Sequence, residues 1–105
     1  MRHHYIIEKI SELMRRLFPE AKTILYGSQA RNTATRDSDI DLLILLPDEY
    51  QGYEFVNRRD QIVEHLYDIE ISEGIRISPL VLIKSIWESR KTPFTVNVVN
   101  EGIVL

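Results

Sequence analysis

Cysteine is absent from the 105 residues, which excludes a disulfide framework and any thiolate zinc site. Glycine and proline number four each, and there is no repeat, low-complexity tract or linker. No apolar run approaches the ~20 residues that a membrane-spanning helix requires. The opening stretch, Met1-Arg2-His3-His4-Tyr5, lacks a signal-peptide pattern, so a cytoplasmic location is the expectation. Positive charge is not in surplus either: 13 basic against 16 acidic residues leave a net charge of −3. That argues against gripping a nucleic-acid backbone as the main task. What remains is an ordinary globular composition, 44% hydrophobic and 28% charged. The length suits one domain over residues 1–105. Its core is modest, which favours association with a partner chain or a second copy.

The informative stretch is Gly27-Ser28, followed after ten residues by Asp39-Ile40-Asp41. A strand-like run, Thr23-Ile24-Leu25-Tyr26, leads into the first pair, and Ile40 to Leu46 carries the acids. Side chains alternate along a strand, so Asp39 and Asp41 project from one face and can share a divalent cation. A hard cation such as Mg²⁺ is held by one or two carboxylates together with substrate phosphates. Gly27 allows the backbone to approach a phosphate closely. A helix starting after Ser28 would turn free N–H groups toward that anion. Either half of the pattern alone is weak. Both at this spacing arise by chance in about one such chain in a thousand, from average residue usage. The chemistry is that of phosphoryl or nucleotidyl transfer.

Gly27-Ser28-Gln29-Ala30-Arg31 with Asp39-Ile40-Asp41 resembles the signature of the minimal nucleotidyltransferases of the DNA polymerase β-like superfamily. The resemblance spans nearly the whole chain. It implies an α/β (α+β) fold, a small mixed β-sheet flanked by helices. It also implies ATP or another nucleoside triphosphate as substrate, Mg²⁺, and a small helical partner protein in a toxin–antitoxin pair. Asp39 and Asp41 are then the catalytic and metal-binding residues. Gly27 and Ser28 hold the distal phosphates, and Arg31 is a candidate phosphate partner because guanidinium suits oxyanions; its alternative is a plain surface arginine. The family often has glycine where Asn32 stands, a mild change because asparagine tolerates left-handed backbone.

Around this motif the chain reads as follows. Ile6, Ile7, Ile10, Leu13, Met14, Leu17 and Phe18 recur at helical spacing, and Pro19 ends that helix. His3 and His4 read as a frayed, solvated end without a matching acid. Residues 22–26 form a strand, 29–32 a short helix and 33–38 a polar loop, with Arg36 and Asp37 solvated. Ile40–Leu46 is a central strand buried on both faces. A helix is expected over about 54–72, with Arg58, Arg59, Asp60, Glu64 and His65 on its wet side and Gly74 as its stop. The strand from Ile75 to Ile83 contains Pro79, which implies an edge strand or a bulge. Lys84–Arg90 reads as a short helix with Trp87 on the core. A second starts at Thr92-Pro93, turns Phe94, Val98 and Val99 inward, and is capped by Gly102. Ile103-Val104-Leu105 adds a short strand or docks on a partner.

One feature of the family pattern is missing. A third carboxylate is expected on the strand after the second long helix. Arg76 best matches that position, and Ser78 shares its face; neither is an acid. Asp68, Glu70 and Glu73 lie nearby on the helix. Two function classes follow. The first is an Mg²⁺-dependent enzyme moving a nucleoside monophosphate, AMP from ATP, to an acceptor hydroxyl. The second is a nucleotide-binding antitoxin or partner-binding module with weak or no turnover.

Overall fold

The structure, a computed structural model, describes residues 3–105; Met1 and Arg2, the start of the stretch read for a signal pattern, lie outside them. The apolar run Ile40–Leu46 forms β2, and it is buried along nearly its whole length. Around it come α1 (His4–Leu17), β1 (Lys22–Tyr26), α2 (Ser28–Arg31), α3 (Tyr53–Glu73) and β3 (Ile77–Ile83), then α4 (Lys84–Glu88), α5 (Pro93–Glu101) and β4 (Ile103–Val104). The sheet order is β3-β2-β1-β4. β1 pairs antiparallel with both β2 and β4, whereas β2 and β3 run parallel. The parallel pair requires a crossover, and α3 supplies it. This is the mixed, helix-flanked sheet that the motif resemblance implies. β3 lies at an edge, as Pro79 requires, because proline gives no N–H to a ladder.

Strand alternation splits the core between the two faces of the sheet. Ile40, Leu42, Ile44 and Leu46 pack with Ile7, Ile10, Met14 and Phe18 of the first helical segment and with Ile62, Leu66 and Ile69 of α3. Leu43 and Leu45 face the other way, against Trp87 and Val98. Asp41 has the parity of Leu43 and Leu45 and therefore lies on the α4–α5 face. Ser78 shares that side with Leu80 and Leu82, and it is the register partner of Asp41 across the parallel pair. The face of the acids is thus the face over which the end of the chain returns.

Several expectations are corrected. His4 pairs with Glu8 at 3.0 Å, one turn along α1, and His3 precedes the helix with its ring 3.4 Å from the Thr35 carbonyl. This end is solvated as expected, but it is helical from His4 and has an acid partner in Glu8. Arg58 is not on a wet face. Its guanidinium donates from Nε and Nη2 to both oxygens of Glu20, and from Nη2 to the Leu17 carbonyl. It also lies 4.5 Å over the Phe18 ring, so it ties the end of α1 to α3. His65 packs edge-on against the same Phe18 ring and is half-buried.

In α5 the inward residues are Thr95 and Val98, whereas Phe94 and Val99 are 44% and 73% exposed. The reason is the cap. Thr92 and Thr95 form a reciprocal capping box that fixes the phase of the helix. Phe94 then lies at the margin, edge-on to Tyr26 and Trp87. Gly102 does end α5, with its N–H donating to the Val98 carbonyl, though without a left-handed backbone.

Candidate active site

At the exit of β1 the chain turns through Gly27, whose φ of 76° and ψ of −156° fall in a region essentially reserved for glycine. A second constraint acts at the same place. A Cβ on Gly27 would come within 2.5 Å of Asp41 Oδ2. The turn after β1 and the acid of β2 are therefore in contact, which follows from the antiparallel pairing of Tyr26 with Asp41. Ser28 opens α2 and is half-buried. Asn32 ends α2 in the left-handed conformation, φ 60° and ψ 32°, that asparagine tolerates. Gln29 is 1% exposed, and its amide reaches toward the Asp39 carbonyl at 3.5 Å. It lies between α2 and the start of β2, within the Gly27–Arg31 signature.

Asp39 and Asp41 are both half-buried. Burial raises the Asp41 carboxyl above the usual carboxylate range, and the charge of Asp39 raises it further. Arg31 opposes this shift, and Glu101 adds to it. Tyr26 is raised as well, by burial and then by Asp41. Asp41, whose ionisation the Asp39 charge opposes, is a carboxylate that a divalent cation would relieve. Among the described residues no cluster of three or more His, Asp or Glu side chains could hold a metal. A hard cation at this place would therefore draw its other ligands from water and substrate, as Mg²⁺ commonly does.

The sheet register places Ile40 opposite Ile77 and Asp41 opposite Ser78, so a hydroxyl, not a carboxylate, stands beside Asp41 across the parallel pair. Arg76 lies just outside β3 and is exposed; its carbonyl accepts from the Ile40 N–H. Glu70 is engaged elsewhere, accepting from the Ile77 N–H at 2.7 Å. Glu73 lies 3.9 Å from Lys9.

A different acid enters, from the far end of the chain. Glu101, the last residue of α5, accepts from the Gly27 N–H through Oε1 at 3.1 Å and from Arg31 Nη1 through Oε2 at 2.8 Å. The Arg31 guanidinium, followed by the Gly27 N–H, holds the Glu101 carboxyl below its ordinary range against the opposing effect of burial. No local pattern announced this residue. The pairing of Leu25 with Ile103 in β4 brings it back beside β1.

A model of the nucleotidyltransferase domain matches residues 7–104. The chain belongs to the nucleotidyltransferase domain family. Solved structures agree at the level of fold. A toxin–antitoxin structure with AMP-PNP is 22% identical with a TM-score of 0.61, covering 92% of this chain and 69% of that one. A mutant of the toxin–antitoxin MntA-HpeT is 23% identical with a TM-score of 0.59, covering 94% and 70%. A putative nucleotidyltransferase from Sulfolobus solfataricus is 19% identical with a TM-score of 0.55, covering 95% and 76%. No curated protein matches the sequence. In this nucleotidyltransferase domain, then, the structure brings Gly27, Arg31, Asp39 and Asp41 to one end of the β1–β2 pair, with Glu101 among them. Among the described residues no helix is long and apolar enough to cross a membrane.

Proposed function

We propose that this domain, acting as a single unit in the cytoplasm, transfers a nucleoside monophosphate, AMP from ATP, to an acceptor hydroxyl on a small helical partner protein. The observation that supports the reading is the contact between the Gly27 turn and Asp41, the residues proposed for phosphate and for the cation. The Gly27 backbone, Ser28 and Arg31 hold the β- and γ-phosphates. Asp39 and Asp41 hold Mg²⁺, which when bound neutralises charge on the triphosphate. The hydroxyl oxygen bonds to the α-phosphorus, the bond to the bridging oxygen breaks, pyrophosphate leaves, and the hydroxyl proton passes to solvent. The chain's own contribution is positioning and charge complementarity, the main sources of rate in such transfers. The toxin–antitoxin neighbours support a partner protein as acceptor.

A second reading has its own observation. Ser78 stands beside Asp41, Glu70 is bonded elsewhere, and among the described residues no third acid joins Asp39 and Asp41 in a metal-holding cluster. This favours a nucleotide-binding antitoxin module without turnover. ATP labelled at the α-phosphate, incubated with Mg²⁺ and the product of the adjacent gene, separates the two. Label on the partner, lost in Asp41→Asn, establishes transfer. Saturable binding with no transferred label establishes the module. Neither binding nor transfer would overturn both readings.

A further inference from the structure

The Glu101 carboxylate bridges two donors that have no need of each other: a backbone N–H at the tip of β1 and a guanidinium on α2. These are the two donors assigned above to phosphate. We propose that Glu101 is a built-in competitor for the triphosphate, a carboxylate that fills the anion site until nucleotide displaces it. The inference rests on the proposed nucleotide reading and adds a regulation of that same site.

Three features support it. The first is chemical equivalence. Charge-assisted hydrogen bonds from guanidinium and backbone N–H serve carboxylate and phosphate oxygens alike. An oxygen of a triphosphate within bonding distance of both donors would overlap the Glu101 oxygens and be repelled by their charge. The second is backbone constraint. Glu101 is followed by Gly102, where an added Cβ would come within 2.6 Å of the Val98 carbonyl and 2.7 Å of Ile24 Cγ2. The end of α5 thus packs closely on Ile24 of β1 and is held beside it by the β1–β4 pairing. The smallest displacement is a rotation of the Glu101 side chain with β4 left in place. The third is an open route. The Arg31 side chain is 52% exposed and that of Glu101 19%, so the ion pair reaches solvent at the Arg31 end. The carboxylate also adds to the negative charge around Asp41. Its departure removes repulsion at the moment when phosphate brings more.

A structural role predicts the opposite sign. If Glu101 only held the Gly27 turn and Arg31 in place, its loss would weaken nucleotide binding. If it competes, its loss strengthens binding. The experiment is calorimetric titration of wild type, Glu101→Ala and Glu101→Gln with Mg·AMP-PNP and, separately, with inorganic tripolyphosphate without metal. Competition predicts that both variants bind both probes about tenfold more tightly, equivalent to about 1.4 kcal/mol. Glu101→Gln keeps the size of the side chain and serves if Glu101→Ala melts too low to titrate. Unchanged or weaker binding of both probes by the folded variants overturns the proposal while leaving the nucleotide reading intact. Tighter tripolyphosphate binding with no AMP-PNP binding by any form removes the nucleotide reading and keeps Glu101 as an anion competitor. No binding of either probe overturns both.

Discussion

Gly27 and Asp41 are fitted to each other: the glycine lacks the one carbon atom that would strike the aspartate carboxylate at 2.5 Å. Space and backbone angle thus both demand glycine there. Gly74 provides the contrast. It too has a positive φ, 70°, but nothing lies within 4 Å of an added Cβ. Gly74→Ala is expected to cost about 1–2 kcal/mol from left-handed strain alone. Gly27→Ala meets a rarer backbone region, worth about 1–3 kcal/mol, and must also push the Asp41 carboxylate aside. Urea melts should rank Gly27→Ala as the more destabilised, and a crystal structure of it should show Asp41 rotated. Equal costs with Asp41 unmoved would contradict the contact.

Asp41→Asn should act with opposite signs in the free and the liganded protein. Without ligand, burial and Asp39 both disfavour the Asp41 charge, so its removal should leave stability unchanged or raise it by up to about 1 kcal/mol. With Mg·ATP the wild type should gain about 2.7 kcal/mol at a hundred times the dissociation constant. The variant should lose most of that gain. Thermal melts with and without Mg·ATP measure both effects. The same ligand shift in both proteins would remove Asp41 from the metal site.

Far from the site, Glu20 and Arg58 give a pH-dependent contribution to stability. Glu20 takes Arg58 Nε at 2.7 Å and the Tyr50 hydroxyl at 3.0 Å. Arg58 is the main cause of its lowered pKa, with burial opposing. For an acid whose folded pKa is depressed, the stabilisation is complete above the unfolded value, 4.5, and is lost as pH falls through the lower folded value. Glu20→Gln should therefore cost about 1–2 kcal/mol at pH 7, discounted for the partly exposed pair. The difference from wild type should shrink as pH falls below 4.5 and vanish once Glu20 is protonated in the folded protein. A difference that stays constant through the protonation of Glu20 would show that shape, not charge, matters there.

The sequence made the sheet and the motif legible because both are written locally. β2 is apolar apart from Asp41, and Gly27-Ser28 and the two aspartates sit at strand ends within fifteen residues of each other. What it hid depends on contacts remote along the chain. Arg58 looks like a wet-face residue until Glu20, 38 positions earlier, is seen beside it. Glu101 lies 74 residues from Gly27 and carries no motif. Phe94 and Val99 have apolar side chains, but the phase of α5 is fixed by the Thr92–Thr95 box, and hydrophobicity alone does not reveal that phase.

The same limit applied to the third acid. Counting along the sequence points to Arg76; the register points to Ser78. In a parallel pair, register partners present their side chains to the same face. Asp41 and Ser78 are such partners, one strand spacing apart. Ser78→Asp should therefore place a carboxylate beside Asp41, whereas Arg76→Asp places one on an exposed residue outside the strand. In EDTA, the new charge beside Asp41 should cost about 1–2 kcal/mol. The value is reduced for partial exposure from the ~4 kcal/mol of two charges at 4 Å in an effective dielectric of 20. With nucleotide present, it should raise both the number of bound Mn²⁺ ions and their affinity, as counted by electron paramagnetic resonance. Arg76→Asp removes a positive charge as well as adding a negative one, so a purely long-range effect would favour it over Ser78→Asp. The register predicts the reverse order. If Arg76→Asp gains the ion and Ser78→Asp does not, the third-ligand position lies before β3 and the reading from the sheet is wrong.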